Sequence, residues 1–256
     1  MKAFILAAGS GTRLRPLTDT VPKCLLPIRG VPLLQIWLEN CAAAGITQVL
    51  LNVHSHADQI RDFVGQQAGV LDVVIAEEHR LLGSAGTLAE NRRFVAAEEV
   101  FFVLYGDVLT NASLANMLAF HRSKNLQVTL GIHQVPDPTQ CGIVTADGEG
   151  IVRSFVEKPA SSESHWAFSG VMIASPKILD CIPSHRPADI GFQLLPRLIG
   201  QMVAYPISEY LLDIGTLGNY TAAQTSWPGL GLTELRKRPW QEICLSEVGE
   251  DGCCER

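Results

Sequence analysis

The chain has 256 residues, of which 47% are apolar, so it is long enough to bury the core of one large α/β domain or of two small ones. Its formal charge of −6 and its isoelectric point near 5.6 exclude the broad basic surface that a nucleic-acid-binding protein needs. No apolar run approaches the roughly 18 residues of a membrane-spanning helix, and the apolar part of the N-terminal MKAFILAAG is too short for a signal peptide. We therefore expect a cytoplasmic protein that binds neither nucleic acid nor membranes.

The first half of the chain alternates short apolar runs with longer amphipathic ones. Nearly continuous apolar runs predict buried strands at AFILAA, TQVLLNV, LDVVIAE and VFFVLYGD. Apolar residues at helical spacing predict helices at PLLQIWLENCAAAG, ADQIRDFVGQQ, TLAENRRFVA and SLANMLAFHRS. This alternation is typical of a parallel sheet that is covered by helices on both faces.

The pattern changes after about residue 126. It predicts strands at QVTLGIHQV, GIVTAD, IVRSFVEK and AFSGVMIA, helices at PKILDCI and IGFQLLPRLIG, strands at MVAYPIS and YLLDIGT, and a last helix at LGNYTAAQTSW. We predict an α/β fold with a doubly wound, mostly parallel sheet that is extended by a mixed β lobe.

The predicted domain organisation follows from this change of pattern. One domain would span residues 1–227, with a first half at 1–126 and a second half at 127–227. Residues 228–256 are polar, charged and weakly periodic, and we expect a short helix and a frayed tail there.

The cysteines and histidines do not predict a metal or disulfide framework. The seven cysteines are scattered over positions 24, 41, 141, 181, 244, 253 and 254 and contain no CxxC pair. Neither a disulfide framework nor a zinc site is therefore indicated. His54 and His56 form an H-x-H pair, which we interpret as a loop at a strand end, because no further cluster of ligands accompanies it.

The glycine-rich loop after the first strand indicates a site for a small polyanion. A dinucleotide fingerprint would need glycine at position 14, where Leu14 stands, and no G-K-[ST] sequence completes a P-loop. Gly9 and Gly11 still allow the backbone N–H groups to approach anionic oxygens closely. Arg13 and Lys23 add full positive charges, so the segment predicts a triphosphate site.

The same residues carry a family resemblance. The segment LAAGSGTRLRPLTDTVPKCLLPI closely resembles the signature of the sugar-1-phosphate nucleotidyltransferases, or NDP-sugar pyrophosphorylases, in which G-x-G-T-R-L-x-P-x-T precedes P-K. In the family's order, LLGSAGTL, YGD, CGIV, FVEKP, FSG and LLDIGT resemble its later motifs, so that the resemblance covers about residues 1–225. The motifs resemble those of mannose-1-phosphate guanylyltransferase-like members in particular, and the resemblance implies their Rossmann-like, GT-A-like fold. It also implies that residues 1–227 form the catalytic domain, with a nucleotide-binding half at 1–126 and a sugar-phosphate-binding half at 127–227.

The resemblance also implies roles for individual residues. The catalytic residues would be Arg13, which faces the β- and γ-phosphates, Lys23 and Asp107. Asp107 and Asp213 would together bind Mg²⁺, the implied cofactor, because hard oxygen ligands suit this ion. The implied nucleotide-binding residues are Leu6, Ala8, Gly9, Gly11, Thr12, Arg13, Gly83, Ser84, Ala85, Gly86 and Gly106. The implied sugar-phosphate-binding residues are Gly142, Glu157, Lys158, Phe168 and Gly170. Arg15 is an additional candidate whose alternative is an ordinary surface arginine.

The implied partners are an NTP and a sugar 1-phosphate, and the protein is a candidate homo-oligomer. The segment LGSAGTL resembles the loop of purine-using relatives, which favours GTP with mannose 1-phosphate or a related sugar phosphate. Two departures keep other acceptors open, because Cys141 replaces a common aromatic residue and FSG lacks a common asparagine. The alternative nucleotides are UTP, CTP and ATP. The alternative acceptors are a heptose phosphate, an amino-sugar phosphate or a non-sugar phosphate such as phosphocholine. A catalytically silent paralogue is disfavoured because the charged residues Arg13, Lys23, Asp107 and Asp213 are all present. A dinucleotide-dependent oxidoreductase is disfavoured because Leu14 interrupts the dinucleotide-binding fingerprint.

Overall fold

A computed structural model of the protein describes residues 1–67 and 71–231. The strands in these ranges are β1 (Lys2–Leu6), β2 (Pro27–Ile28), β3 (Val31–Pro32), β4 (Gln48–Val53), β5 (Asp72–Glu77), β6 (Phe101–Tyr105), β7 (Val108–Thr110), β8 (Val128–Gln134), β9 (Gly142–Ala146), β10 (Val152–Glu157), β11 (Trp166–Ala174), β12 (Met202–Pro206) and β13 (Leu211–Asp213). The α-helices are α1 (Leu33–Ala43), α2 (Ala57–Gln66), α3 (Ser84–Glu90), α4 (Leu114–Lys124) and α5 (Leu217–Ser226).

The N-terminal half builds one side of the central sheet from parallel strands in the order β6, β1, β4, β5. Along β1, Ala3 and Ile5 pack into one hydrophobic cluster, whereas Phe4 packs into the cluster on the opposite face. Both faces of this strand are therefore buried, which is why its sequence is apolar at every position from Ala3 to Leu6 and not only at alternate ones. The predicted parallel sheet covered on both faces is confirmed.

The second half makes the sheet mixed. β11 pairs antiparallel with both β6 and β8, β8 pairs parallel with β12, and β9 and β10 form an antiparallel hairpin at the edge. Because β6 lies before residue 126 and β11 lies after it, one continuous sheet runs through both halves of the chain. The predicted mixed β lobe is confirmed.

Some predicted helices have other bounds or another type. The predicted helix at 190–200 is a π-helical turn, Ile190–Leu194, followed by a 3₁₀ turn, Leu195–Leu198. Pro196 has no N–H group to donate to an α-helical hydrogen bond, which explains why a regular α-helix does not continue there. The predicted helix at 176–182 is a 3₁₀ helix, Pro176–Cys181, and the one at 87–96 is α3 followed by a 3₁₀ turn, Arg92–Val95.

The C-terminal prediction falls mostly outside the described residues. Residues 228–231 have neither helical nor strand structure, and the short helix expected in the tail concerns residues 232–256, which lie outside the described ranges. Among the described residues, no helix is both long enough and apolar enough to cross a membrane.

The topology brings several loops to one edge of the sheet. Since β1, β4 and β6 are parallel neighbours, the residues that follow them meet at their common carboxyl edge. Gly106 N donates a hydrogen bond to Leu6 O at 2.9 Å, and a side chain at Gly106 would collide with that carbonyl and with Ala7. Glycine at this position therefore allows the ends of β6 and β1 to approach each other closely.

Candidate active site

A cavity of about 390 Å³ opens at the carboxyl edge of the sheet. Its lining includes most of the residues predicted to bind the nucleotide or to act in catalysis, namely Leu6, Ala8, Gly9, Gly11, Thr12, Arg13, Lys23, Gly83, Ser84, Gly106 and Asp107. Of the predicted nucleotide-binding residues, Ala85 and Gly86 are buried in α3 and are not part of this lining. The open space is of the size expected for a small-molecule site.

The glycine-rich loop has a shape that Gly11 makes possible. Gly11 has φ of 64°, and a Cβ there would lie 2.9 Å from Cγ2 of Thr18. Thr18 Oγ1 donates to Gly11 O at 2.8 Å, and Leu14 N donates to the same oxygen at 2.9 Å. Leu14, which interrupts the dinucleotide fingerprint, is fully buried and anchors the turn. Arg13 lies between these anchors on the exposed side of the loop, where its guanidinium can reach the cavity.

Lys23 occupies a 3₁₀ turn, Lys23–Leu25, directly after Pro22. Proline fixes the backbone ahead of the lysine, and the buried Cys24 holds the turn against the core. The side chain of Lys23 is only 11% exposed, and its Nζ donates to Oδ2 of Asp107 at 2.7 Å. Its ammonium is therefore directed inward.

Strand pairing brings the two predicted metal-binding aspartates together. β7 and β13 pair antiparallel with Asp213 opposite Val108, and Ile214 N donates to Asp107 O at 3.0 Å. Lys23 Nζ lies 4.0 Å from Asp213 Oδ1, so one ammonium faces both carboxylates. Since Asp107 and Asp213 are far apart in the sequence, only this small sheet makes them neighbours.

Arg13 and Lys23 also meet Asp213 around Gly215. A Cβ at Gly215 would lie 2.7 Å from Asp213 Oδ1, 2.8 Å from Arg13 Nη2 and 3.2 Å from Lys23 Nζ. Gly215 N donates to Asp213 Oδ1 at 2.6 Å. A larger residue would displace the ends of these charged side chains, so the glycine of LLDIGT allows them to lie this close together.

The electrostatics of this cluster show where negative charge accumulates. Withdrawal of its carboxyl from water and the negative charge of Asp107 raise the pKa of Asp213, while Lys23, the Gly215 N–H and Arg13 oppose this rise. Within residues 1–67 and 71–231, no group of three or more His, Cys, Asp or Glu side chains is arranged to hold a metal ion. Two carboxylates supply only part of a coordination shell, and this donor set suits an ion such as Mg²⁺ that takes its other ligands from water and phosphate.

The other metal candidates lie elsewhere. His54 Nδ1 makes a hydrogen bond to the backbone oxygen of Glu78 at 2.6 Å, and His56 precedes α2 in the left-handed conformation. Cys24 and Cys41 are buried, which raises the pKa of the Cys24 thiol to about 12. Cys141 and Cys181 are half-buried free thiols.

A buried polar network that the sequence analysis did not identify forms one wall of the cavity. Asn52 Nδ2 donates to Glu78 Oε1 at 2.9 Å and to Thr87 Oγ1 at 3.1 Å, while Asn52 Oδ1 accepts from Ala7 N at 2.7 Å. Glu78 Oε2 accepts from Leu82 N at 3.0 Å. The network thus ties the glycine-rich loop to the loop ahead of α3. The only sequence signal for it is a polar Asn52 within the apolar run TQVLLNV.

The loop LGSAGTL at residues 82–88, which resembles the base-contacting loop of purine-using relatives and is called the base loop below, is fixed by the second half of the chain. Gly83 has φ of 77°, and a side chain there would collide with the backbone of Ala188. The hydroxyl of Ser84 donates to Asp189 Oδ2 at 2.8 Å and accepts from Ile190 N at 2.8 Å. Ser84 therefore has partners within the protein, and Asp189 is a further residue that the sequence analysis missed.

The predicted sugar-phosphate residues lie beside this cavity and not in its lining. The Phe168 ring packs edge-on against Tyr105, with centroids 5.6 Å apart, and a Cβ at Gly170 would lie 2.9 Å from the Tyr105 Cβ. Tyr105 itself lines the cavity, so it connects the two regions. Lys158 has φ of 50°, and its N–H donates to Cys141 O at 2.9 Å.

Glu157 lies at the centre of this second region. A Cβ at Gly142 would lie 2.5 Å from Glu157 Oε2, so that glycine leaves room for the carboxylate. Burial and the negative charge of Asp189 raise the pKa of Glu157, and the nearby Lys158 opposes the rise. The carboxylate is therefore held in a position where hydrogen-bond donors from a ligand would stabilise its charged form.

Comparison with known proteins agrees with the architecture and with the motifs. The family model described as nucleotidyl transferase matches residues 2–227. Among similar proteins, a UTP–glucose-1-phosphate uridylyltransferase of Synechocystis sp. is 34% identical over 241 residues, which is 87% of this chain and 62% of that protein. A mannose-1-phosphate guanyltransferase beta-A of Xenopus laevis is 36% identical over 221 residues, which is 84% of this chain and 61% of that protein.

A solved structure shows the same fold. HddC from Yersinia pseudotuberculosis, complexed with GMP-PN, has a TM-score of 0.73 and 26% identity, with 87% of this chain and 97% of that chain covered. The chain spans less than two thirds of the length of the two enzymes from Synechocystis and Xenopus. Because the family model covers most of the sequence, the chain belongs to the nucleotidyl transferase family.

Proposed function

We propose that the protein transfers a nucleotidyl group from an NTP, with GTP favoured, to a sugar 1-phosphate such as mannose 1-phosphate and releases pyrophosphate. The observation that carries this proposal is the meeting of Arg13, Lys23, Asp107 and Asp213 beside the glycine-rich loop at the cavity. Two cations and two carboxylates in such proximity suit a site where phosphate groups and a divalent cation are bound together.

The reaction needs positioning more than it needs a base. A phosphate oxygen of the acceptor would form a bond to the α-phosphorus of the NTP, and the bond from that phosphorus to the bridging oxygen of the leaving pyrophosphate would break. The attacking oxygen is already anionic near neutral pH, because a phosphate monoester has its second pKa at about 6. The barrier is therefore largely the repulsion and misalignment of two polyanions.

The charged residues would lower this barrier in distinct ways. Arg13, on the exposed side of the loop, would bind the β- and γ-phosphates and the charge that develops on pyrophosphate. Lys23 would neutralise negative charge between the aspartates and the reacting phosphates. Asp107 and Asp213 would hold Mg²⁺, which when bound supplies positive charge to phosphate oxygens.

The polar wall of the cavity supports a guanine base. Glu78 Oε1 accepts two hydrogen bonds from the protein, whereas Oε2 accepts one, from Leu82 N. A carboxylate accepts about four hydrogen bonds, so Oε2 has room for a donor from a ligand. Guanine presents N1–H and the 2-amino group side by side, whereas uracil flanks its single N–H with two carbonyl oxygens that a carboxylate repels. The bound GMP-PN in HddC from Yersinia pseudotuberculosis points to the same base.

The acceptor would be bound by the region around Glu157. Its carboxylate would accept hydrogen bonds from sugar hydroxyls, Lys158 would pair with the acceptor phosphate, and Phe168 with Tyr105 would form an apolar wall. Gly142 and Gly170 leave room for Glu157 and Tyr105, because a Cβ at either position would crowd these side chains. The alternative pair is UTP with glucose 1-phosphate, which the name of the Synechocystis relative supports.

A substrate panel tests the proposal. The protein would be incubated with Mg²⁺, with each of the four NTPs in turn and with mannose, glucose, heptose and amino-sugar 1-phosphates or phosphocholine, and pyrophosphate release would be followed. We expect the highest kcat/KM for GTP with mannose 1-phosphate. A higher value with UTP and glucose 1-phosphate would favour the alternative, and no release with any pair would contradict the proposed activity.

A further inference from the structure

A short segment of the second half of the chain is bonded directly to the predicted base loop. Ala188 N donates to Leu82 O at 2.9 Å, and Gly86 N donates to Ala188 O at 3.0 Å. Both glycines of LGSAGTL serve this contact, because a side chain at Gly83 would collide with Ala188 and one at Gly86 with Arg186. The glycines of this motif therefore allow close packing within the protein.

The carboxylate of Asp189 joins the base loop to the turn that follows. Its Oδ2 accepts from the Ser84 hydroxyl at 2.8 Å. Its Oδ1 accepts from Gly191 N at 2.8 Å and from Phe192 N at 3.4 Å, which fixes the start of the turn Ile190–Leu194. A single side chain thus holds two segments that lie more than a hundred residues apart in the sequence.

The turn held by Asp189 supports Glu157. A Cβ at Gly191 would overlap Glu157 Oε2, so the backbone of the turn lies directly against this carboxylate. A second glycine, Gly142, bounds the same oxygen from another strand. The position of Glu157 therefore depends on where Asp189 holds Gly191.

We propose that Asp189 is a positioning residue that couples nucleotide binding at Ser84 to acceptor binding at Glu157, an inference that rests on the proposed function. A nucleotide that orders the base loop would fix the Ser84 hydroxyl, and through Asp189 it would fix the turn against Glu157. The sugar hydroxyls of the acceptor then meet a carboxylate that is already ordered, so each ligand tightens the binding of the other. Such coupling is reciprocal by thermodynamic necessity.

Calorimetry of the full chain tests this coupling without turnover. The α,β-methylene analogue of GTP, with Mg²⁺, would be titrated into the protein in the absence and in the presence of saturating mannose 1-phosphate or glucose 1-phosphate. We expect the acceptor to lower the Kd of the nucleotide by on the order of 5-fold or more, the lower end of typical coupling factors. Asp189→Asn and Ser84→Ala should each reduce this factor to below about 2-fold, and the double variant should show no further loss.

The controls separate coupling from general damage. Asp147→Asn alters a comparable turn, in which Asp147 Oδ1 accepts from Glu149 N and Ile151 N, but this aspartate contacts the hairpin and not the base loop, so it should preserve the coupling. If Asp189→Asn only damaged the structure, both ligands would bind more weakly, but the acceptor would still lower the Kd of the nucleotide by the same factor. If this variant proves unfolded, Ser84→Ala provides the same comparison.

The outcomes distinguish the two proposals. Full coupling in Asp189→Asn or Ser84→Ala overturns the inference, and so does a wild-type protein that binds the nucleotide without any effect of either acceptor. A wild-type protein that binds no nucleotide overturns the proposed function, and the inference with it.

Discussion

The ammonium nitrogen of Lys23 lies 2.7 Å from Oδ2 of Asp107, across 84 residues of sequence. The same nitrogen is 4.0 Å from Oδ1 of Asp213, so a single cation is shared by two carboxylates. Without such a cation the two aspartates would repel each other, and this repulsion adds to the effect of burial in raising the pKa of Asp213. The two neighbouring carboxylates therefore favour the presence of a cation even when no ligand is bound.

Loss of the Lys23 charge should destabilise the protein in a way that Mg²⁺ reverses. We expect Lys23→Met to lower the free energy of unfolding by roughly 1–3 kcal/mol near neutral pH, between the values for exposed and for fully buried ion pairs. Mg²⁺ should restore more stability to this variant than to the wild type, because the ion replaces the missing ammonium between the carboxylates. Thermal unfolding in a magnesium titration measures both effects. Lys124→Met, which removes an ammonium stacked on Phe120, is the matched control and should show no such rescue.

Removal of the Arg13 guanidinium should affect catalysis far more than folding. Arg13→Ala should lower turnover on the order of 10²- to 10⁵-fold, the range for losing a contact with transition-state charge. Its stability should be close to that of the wild type, because the side chain is on the exposed side of the loop. Arg15→Ala is the control, since Arg15 is 66% exposed and pairs with Asp19 at the surface. Pyrophosphate release measures the turnover of both variants, and equal turnover of Arg13→Ala and Arg15→Ala would contradict the catalytic role of Arg13.

The Glu78 carboxylate should set the preference for guanine. The wild type should use GTP with a kcat/KM about 10- to 100-fold above that for ITP, which lacks the 2-amino group, as expected for one hydrogen bond to a charged acceptor. Glu78→Gln should reduce this ratio towards one. Thr87→Val removes a partner of the carboxylate but keeps its charge, so it should preserve the ratio. An unchanged ratio in Glu78→Gln would show that the base is recognised elsewhere.

A methyl group at Gly83 should be poorly tolerated. Gly83→Ala places a Cβ against the backbone of Ala188 at a φ of 77°, and we expect it to lower the free energy of unfolding by about 2–4 kcal/mol. Gly65→Ala is the control in α2, where a Cβ would meet no atom within 4 Å, and it should stabilise the protein by about 0.5–1 kcal/mol. Urea unfolding of both variants provides the measurement. Equal stability of the two would contradict the close packing of the base loop.

The raised pKa of Glu157 predicts a pH-dependent cost to stability. A carboxyl group whose pKa is raised on folding binds its proton more tightly in the native state, so the free energy of unfolding falls as pH rises from the unfolded pKa through the folded one. Glu157→Gln cannot ionise and should therefore be more stable relative to the wild type at about pH 8 than at about pH 4. Urea unfolding at the two pH values measures the difference. The exposed Glu149→Gln should show no comparable change.

The motifs in the sequence located much of the candidate site because they lie in short segments with local constraints. Gly11, Leu14 and Arg13 fall within one turn, so their spacing alone predicts a loop that presents an arginine. The polar network of Asn52, Glu78 and Thr87 was missed because its members lie 26 and 35 residues from Asn52. Each of them is an ordinary polar residue when it is considered by itself.

The amino-acid sequence by itself determined the longer strands, most of the α-helices, the parallel sheet with two covered faces and the loops that follow its strands, but not the short strands β2, β3 and β7. These features depend on periodicity and on backbone preferences, which act over a few residues. Only the tertiary structure decided which charges meet, because the pairing of β7 with β13 places Asp213 beside Asp107 and brings both to Lys23. The same holds for Asp189, whose bond to Ser84 spans 105 residues. Coulombic and hydrogen-bond energies depend on the distance between atoms in space, and this distance cannot be inferred from the separation of two residues along the chain.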